Sequence, residues 1–265
     1  MSACSCRPRA VSLTPEGAIF LEEAERLKAA AERASNVLRE RVAVPKRKLR
    51  VAMPIHFGRS ELGPRLPLFV EHFPTIQVEY ILVNNGQIDL LDRQIDVALV
   101  FGSVMKAQSQ LVGETIAQAE TVLCAAPRYL EQHPRPDLIA DLAMHRTLGG
   151  IDEVSDRIMP WRFIKNGHSI SHKPDFNVAT NSIEVLLNMA LAGCGIVHLP
   201  YYMAVEPIRQ GRLQIVLPRQ ELELIPVQIL YARGRANDGE VKALVNLLRE
   251  VIDQQQYGYR RRRQN

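Results

Sequence analysis

Very little in this sequence of 265 residues supports chemistry carried by a metal, a thiol or a bound nucleotide. There are four cysteines: Cys4, Cys6, Cys124 and Cys194. Cys4 and Cys6 lie too close to bridge comfortably. The other two sit in the apolar runs "TVLCAAP" and "AGCGIV" and read as small buried hydrophobes. No C-x-x-C pair faces another, as a structural zinc site requires. No basic-then-apolar segment opens the chain as an export signal, and no run approaches the length of a membrane span, so a cytoplasmic protein with no membrane partner is expected. Neither a G-x-x-x-x-G-K phosphate loop nor a G-x-S-x-G elbow occurs. "GCGIVH" (193–198) has spaced glycines, but after a helix. A dinucleotide site needs them between a strand and a helix N-terminus, so Gly193 and Gly195 read as a helix stop and a tight turn.

Charge of one sign is also scarce. The net charge is +4, and the four consecutive arginines Arg260–Arg263 account for all of it. The body is close to neutral, which disfavours a broad phosphate-gripping face. The tail itself reads as a solvated, frayed terminus. His168 and His172 are four apart, but glycine, serine and proline surround them, which favours a loop or hairpin over a metal site. His198, in "IVHLP", reads as a satisfied core or cleft histidine. Asp89, Asp92 and Asp96 fall on a short helix and its exit, with Asp96 as a turn residue. No nucleophile, base and orienting group are assembled, so no enzyme, no cofactor and no metal are expected.

What is present is apolar patterning, with 46% hydrophobic residues, enough for a real core. The segment 11–38 reads as a helix. Thr14 is its N-cap, Pro15 its first residue, and Glu16 is favoured by the helix dipole. Leu21, Ala24, Leu27, Ala31, Ala34 and Leu38 recur every three or four residues as one apolar stripe. The linker "VPKRKLR" (44–50) follows. Strands are then expected at 48–55, 76–83 and 96–101, alternating with helices at 61–73 and 86–95. Further on, strands are expected at 120–127, 173–180, 195–200 and 225–232. Helices are expected at 137–143, 181–193, from "YYMAVEPIRQG", and at 238–253. Asn181 or Ser182 can cap the second of these helices. This rhythm argues for parallel sheets with crossover helices, in two α/β lobes that face across a cleft.

Read in order, these segments resemble a LysR-type transcriptional regulator. "LTPEGAIFLEEAERL" looks like the junction of a winged helix-turn-helix with a long linker helix. "LRVAMPIHFGRSELGPRLPLFVEHFPTIQVEYIL", "DLLDRQIDVALVFG", "VLCAAPRYLEQHPRPDLIADLAMHRTL" and "NSIEVLLNMALAGCGIVHLPYYMAVEPIRQGRLQIVLP" look like successive units of its sensor. The resemblance implies two Rossmann-like lobes of the periplasmic-binding-protein type (type 2), preceded by the linker helix. It divides the chain into a winged-helix remnant (1–14), a linker and dimerisation helix (15–44), lobe I (48–124 with 226–254), lobe II (125–225) and a basic tail (255–265). The two lobe crossovers would lie near Cys124–Ala126 and Pro226–Leu230. The helix-turn-helix itself is not found in the sequence, so an effector-sensing and oligomerising part lacking its own recognition helix is expected. The alternative is a free-standing two-lobe solute-binding protein.

By family position, the effector would meet loops after strands: Ile55, His56, Phe57, Gly58 and Ser60; Asn84 and Asn85; Val100, Phe101 and Gly102. From the other lobe would come Gly149 and Gly150, then Thr180, Asn181 and Ser182, with Gly195, Ile196 and Pro200 closing the wall. Relatives often carry Arg where Val100 stands. Without that guanidinium a bidentate carboxylate clamp is not available there, so an acidic effector is not assumed. The implied partners are a small-molecule effector and a second copy through the linker helix. DNA would join only if a longer form or a mixed dimer supplies the helix-turn-helix, and RNA polymerase would be engaged indirectly.

Overall fold

The computed structural model describes residues 4–7, 10–17, 19–21, 23, 24, 26, 47–84, 94–102, 111–152, 155–173, 175–254 and 259–261. Contacts divide the chain into two compact units, Met1–Arg47 and Lys48–Asn265. In the first unit, β1 (Cys4–Arg7) and β2 (Ala10–Leu13) form an antiparallel hairpin, Cys4 opposite Leu13. Val11–Leu13 is therefore strand, and the expected helix starts only after it. Its cap is Thr14, whose Oγ1 accepts the Gly17 N–H at 3.0 Å. Residues 15–17 and 19–21 are helical, and Ile19, Phe20 and Leu21 are exposed there. Ala24 is half-buried. Leu27, Ala31, Ala34 and Leu38 lie outside the described residues.

The second unit begins with β3 (Arg47–Pro54). Its exit is helical without a break: α1 (Ile55–Phe57), a π turn (Gly58–Leu62), a 3-10 turn (Gly63–Arg65) and α2 (Leu66–His72). Pro64 and Pro67 sit at the openings of the last two pieces, where a missing N–H costs least. Next come β4 (Ile76–Val83), β5 (Val97–Phe101) and β6 (Leu111–Ala119). The helix expected at 86–95 lies almost wholly outside the described residues. Then follow β7 (Thr121–Ala125), α3 (Pro127–Leu130), a 3-10 turn (Ile139–Met144), β8 (Thr147–Asp152), β9 (Arg157–Ile158), β10 (Trp161–Lys165), β11 (His168–His172) and β12 (Phe176–Thr180). The chain continues through α4 (Ile183–Leu191), β13 (Ile196–Pro200), α5 (Tyr201–Arg209), β14 (Gln214–Val216), β15 (Glu221–Leu222), β16 (Ile225–Ala232), α6 (Gly239–Gln254) and β17 (Tyr259–Arg261).

Two six-stranded sheets result. The first has the order β17-β6-β16-β5-β3-β4, and the second β12-β8-β13-β7-β14 with β9 at the side of β8. The first core joins Leu49, Val51, Met53, Val97, Leu99, Val227 and Ile229 to α6. Val241, Leu244, Val245, Leu248 and Val251 supply the helix's apolar face at three- and four-residue spacing. The second sheet buries Leu148, Val197 and Leu199 against Leu186, Leu187 and Ala190 of α4 and Met203 and Ala204 of α5. The pairs β3 with β5, β8 with β12 and β8 with β13 are parallel, whereas β5 and β6 with β16, β7 with β13 and β14, β8 with β9 and β17 with β6 are antiparallel.

Three expectations need correcting. The strand β7 pairs with β13 and β14, so Thr121–Cys124 belongs with the second sheet and not with lobe I as expected. The chain passes from the first sheet to the second at Glu120, between β6 and β7, and returns to the first at Glu223–Leu224, between β16 and β15, the latter an edge of a three-stranded sheet β11-β10-β15. Both points lie slightly before the expected crossovers. Hydrogen bonds fix them: Tyr201 N–H to Glu120 O at 2.8 Å, and Glu223 N–H to Arg162 O at 3.0 Å. Thr121 Oγ1 donates to Glu223 O at 3.4 Å, which ties one crossover to the other. The third correction is at the basic tail. Tyr259–Arg261 is not frayed but pairs antiparallel with Ala117–Ala119 and closes one edge of the first sheet.

Candidate functional site

Between the two sheets lies a cavity of about 310 Å³. The first sheet contributes Pro54, Asn84, Phe101 and Gly102, all at strand ends. The second contributes Gly150, Asp152, His198, Leu199 and Pro200 from β8 and β13, and Ile183, Leu186, Tyr202 and Met203 from the helices that flank β13. Met159, Pro160, Trp161 and Arg162 close another side, and the crossovers supply Thr121, Glu223, Leu224 and Ile225. This is the position an open α/β sheet offers a ligand, beyond the carboxyl ends of its parallel strands.

The walls are mainly apolar and aromatic. The Phe101 and Tyr202 rings lie 5.5 Å apart between centroids, reaching across from the two sheets. Trp161 is buried with its ring 6.3 Å from that of His198. Burial pushes the His198 imidazole down to about 4, so it is neutral at physiological pH. Its Nε2 has no hydrogen-bond partner among the described residues. The sequence placed His198 as a satisfied core or cleft residue; it lies at the cavity, unsatisfied at that nitrogen. The Tyr202 hydroxyl is likewise held well above its usual range, mainly by burial and then by the carboxylates of Glu61 and Glu184.

Beside the cavity, one set of charges spans the two sheets. Glu184, in the first turn of α4, has its Oε1 3.0 Å from Arg59 Nη2 and 3.4 Å from His56 Nδ1. His56 and Arg59 lie on the helical exit of β3. The His56 ring sits 5.6 Å from that of Tyr202. Its pKa is lowered, chiefly by burial and then by the Arg59 charge, while Glu184 opposes the shift.

Of the residues expected from sequence, Asn84, Phe101, Gly102, Gly150 and Pro200 line the cavity. Asn85 is outside the described residues. Ile55, His56, Phe57, Gly58, Ser60, Val100, Gly149, Thr180, Asn181, Ser182, Gly195 and Ile196 do not line it. The reasons are geometric. Pro54, one residue before the expected run, carries the wall, and the chain turns helical at Ile55. Val100 points into the core beneath Phe101, since strand side chains alternate. Gly149 faces the Phe176 ring of the next strand, 2.8 Å from where a Cβ would stand, while Gly150 faces Met159. Ser182 instead caps α4, its Oγ accepting the Val185 N–H at 3.5 Å.

The sequence reading missed Pro54, Thr121, the Met159–Arg162 run, Ile183, Leu186, Leu199, Tyr202, Met203 and Glu223–Ile225 as lining residues. A signal existed for Tyr202, two residues past Pro200 on a helix start. None existed for the crossovers, which depend on long-range pairing. The two histidines weighed as metal ligands lie at opposite ends of β11, in a hairpin with β10. Four residues along a strand span about 13 Å, too far to share an ion. Among the described residues no three His, Cys, Asp or Glu side chains are gathered as a metal site. No described helix is long and apolar enough to cross a membrane. Asp96 is a turn residue that also fastens neighbouring segments together. Its Oδ2 accepts the Arg50 N–H at 2.8 Å and its Oδ1 pairs with Arg235 at 2.7 Å.

Comparisons with known proteins agree with this architecture. The LysR substrate binding domain matches residues 43–253. The regulator CrgA of Neisseria meningitidis serogroup C is 27% identical over 249 residues, 92% of this chain and 80% of that protein. The activator TtdR of Escherichia coli K12 is 26% identical over 213 residues, 79% of this chain and 66% of that protein. The CrgA structure superposes with a TM-score of 0.65 at 26% identity, over 94% of this chain and 83% of that one. The full-length Vibrio cholerae virulence activator AphB gives 0.63 over the same shares at 20% identity, a likeness of fold alone. The two sheets are thus the two lobes of a type 2 periplasmic-binding-like fold, and the chain belongs to the LysR-type transcriptional regulators.

Proposed function

We propose that this chain is the effector-sensing and oligomerising part of a transcription regulator working in the cytoplasm. A small molecule occupies the cavity between the lobes, and the change in lobe arrangement is passed to DNA-binding arms carried by the assembled protein. The observation that carries this reading is the composition of the cavity wall. Both sheets and both crossovers contribute to it, so an occupant that prefers one lobe arrangement must bias the whole unit toward it. The second part rests on the opening helix, where Leu21, the first residue of the expected apolar stripe, is exposed, as are its neighbours Ile19 and Phe20. An apolar face of that kind is what a partner helix covers. The relatives favour a regulator over a free-standing solute binder, since CrgA and TtdR are both named as regulators.

Two measurements test the proposal. A thermal-shift screen of small metabolites should find a compound that raises the melting temperature with concentration, and X-ray scattering should show the unit contract when it binds. Sedimentation should find a dimer or larger at micromolar concentration, and Phe20→Glu with Leu21→Glu should dissociate it. A monomer whose melting temperature no compound moves ends the reading.

A further inference from the structure

We infer that the molecule read by this cavity is uncharged, largely apolar and ring-shaped, with one hydrogen-bonding group that meets His198. The inference rests on the proposed effector role of the cavity and adds the chemistry of its occupant.

The first argument is charge. The described lining holds two carboxylates, Asp152 and Glu223, against one guanidinium, Arg162. Arg162 Nε already lies 3.5 Å from Glu223 Oε2. Asp152 Oδ1 accepts from the N–H and hydroxyl of Ser155, at 2.8 and 2.7 Å. No described cation of the lining is left over for an anionic ligand. The start of α4, which borders the cavity, offers no substitute: Ser182 caps it and Glu184 already supplies the negative charge its dipole favours. The imidazole of His198 is neutral and adds no positive charge. A carboxylate placed here would lose its hydration and meet more negative than positive charge among the described lining residues, which is unfavourable.

The second argument is shape. Phe101 and Tyr202 face each other across the lobes, and Trp161 forms the side wall. Aromatic walls favour a flat ring by offset or edge contact. About 310 Å³ accepts on the order of ten to fifteen non-hydrogen atoms at interior packing density. The third argument is the Nε2 of His198, a buried polar nitrogen with no partner among the described residues. Leaving it so is unfavourable, and a ligand hydroxyl or ring N–H that reaches it removes the penalty.

The test uses the full chain at pH 7.5 with three matched probes: 4-ethylphenol, ethylbenzene and 4-ethylbenzoate. Calorimetry and melting temperature should rank 4-ethylphenol first, with both others weaker by tenfold or more. Met159→Trp, which fills the cavity from its wall, should abolish binding of all three. His198→Phe should erase the advantage of the phenol over ethylbenzene, and His198→Gln should restore part of it; near-UV circular dichroism of each variant checks its fold. If 4-ethylbenzoate binds best, the ligand class is wrong and the cavity still stands as a site. If the phenol loses its advantage to ethylbenzene in the unaltered chain, the role of His198 is wrong. If no probe binds and Met159→Trp leaves the response to a metabolite library unchanged, the effector reading fails with it.

Discussion

Arg59 Nη2 lies 3.0 Å from Glu184 Oε1, and the two residues belong to different lobes. The pair and its neighbour His56 form a polar bridge from the exit of β3 to the start of α4. Arg59 is 63% exposed in its side chain, so the pair is worth only about 0.2–1 kcal/mol. Its effect should fall on lobe arrangement more than on folding. Glu184→Gln is expected to lower the melting temperature by roughly 1–3 °C and to enlarge the radius of gyration of the ligand-free chain in X-ray scattering. Arg59→Glu combined with Glu184→Arg should return both toward the starting values. A double-mutant cycle with zero coupling would show that the bridge holds nothing.

Stability should fall as the solution is acidified, before the carboxylates titrate. His198 and His56 both have lowered folded pKa values, with burial as the first cause. The unfolded chain binds protons to these imidazoles from about pH 6.5 downward, while the folded chain does not until lower pH. Stability present above 6.5 is therefore lost as pH falls, for His198 down to about 4. Between pH 7.5 and 5 the loss due to His198 should be about 2 kcal/mol. Urea unfolding at the two pH values measures it. His198→Phe should flatten that part of the profile, and an unchanged slope in the variant would place the effect elsewhere.

The same histidine shows what the sequence could and could not say. Elements with a clear period were legible: β4 by alternation, α4 and α6 by their apolar faces, Thr14 and Ser182 as caps. The strand β6 was missed, because "LVGETIAQA" mixes polar and apolar residues and takes its place only by pairing with β16 along its length. The β8–β11 region was largely missed for a similar reason, although the hairpin around Asn166 and Gly167, both at positive φ, was foreseen as a loop or hairpin. Several expected contacts stand beside the cavity instead of on its wall, by small displacements. A cleft wall is set by which residue ends a strand, and a shift of one, from Ile55 to Pro54, changes the face presented.

Arg235 should be among the most sensitive polar positions of the first lobe. Its guanidinium meets Asp96 at 2.7 Å, Asp238 at 2.8 Å and Glu240 at 2.9 Å. It also donates to the Lys48 carbonyl at 3.3 Å, so it links β3, the turn before β5 and the start of α6. Arg235→Ala leaves three carboxylates facing one another, with Glu240 buried. The expected cost is roughly 2–3 kcal/mol, below that of a fully buried pair because Arg235 is partly exposed. Arg235→Lys should recover little, since one ammonium cannot match a planar fork. Denaturant midpoints of the two variants decide this, and full rescue by lysine would reduce the cluster to simple charge balance.

The two glycines after α4 look alike in sequence and should respond differently to substitution. Gly193 has φ +72°, the left-handed conformation that ends a helix, which Asn also tolerates. A Cβ there meets the Arg128 side chain, which is flexible enough to move. Gly195 is not at positive φ. Its constraint is the Arg146 carbonyl oxygen, which stands too close to where a Cβ would be. That oxygen is fixed by accepting the Ile196 N–H at 2.9 Å as β13 enters the sheet beside β8. Backbone cannot yield as a side chain does, so Gly195→Ala must pry β13 from β8. A loss of about 1–3 kcal/mol is expected, against less than about 1 kcal/mol for Gly193→Asn. Because β13 carries His198 into the cavity wall, Gly195→Ala should also weaken ligand binding, while Gly193→Asn should leave it unchanged. Equal melting temperatures and equal affinities in the two variants would mean that β13 has room to shift.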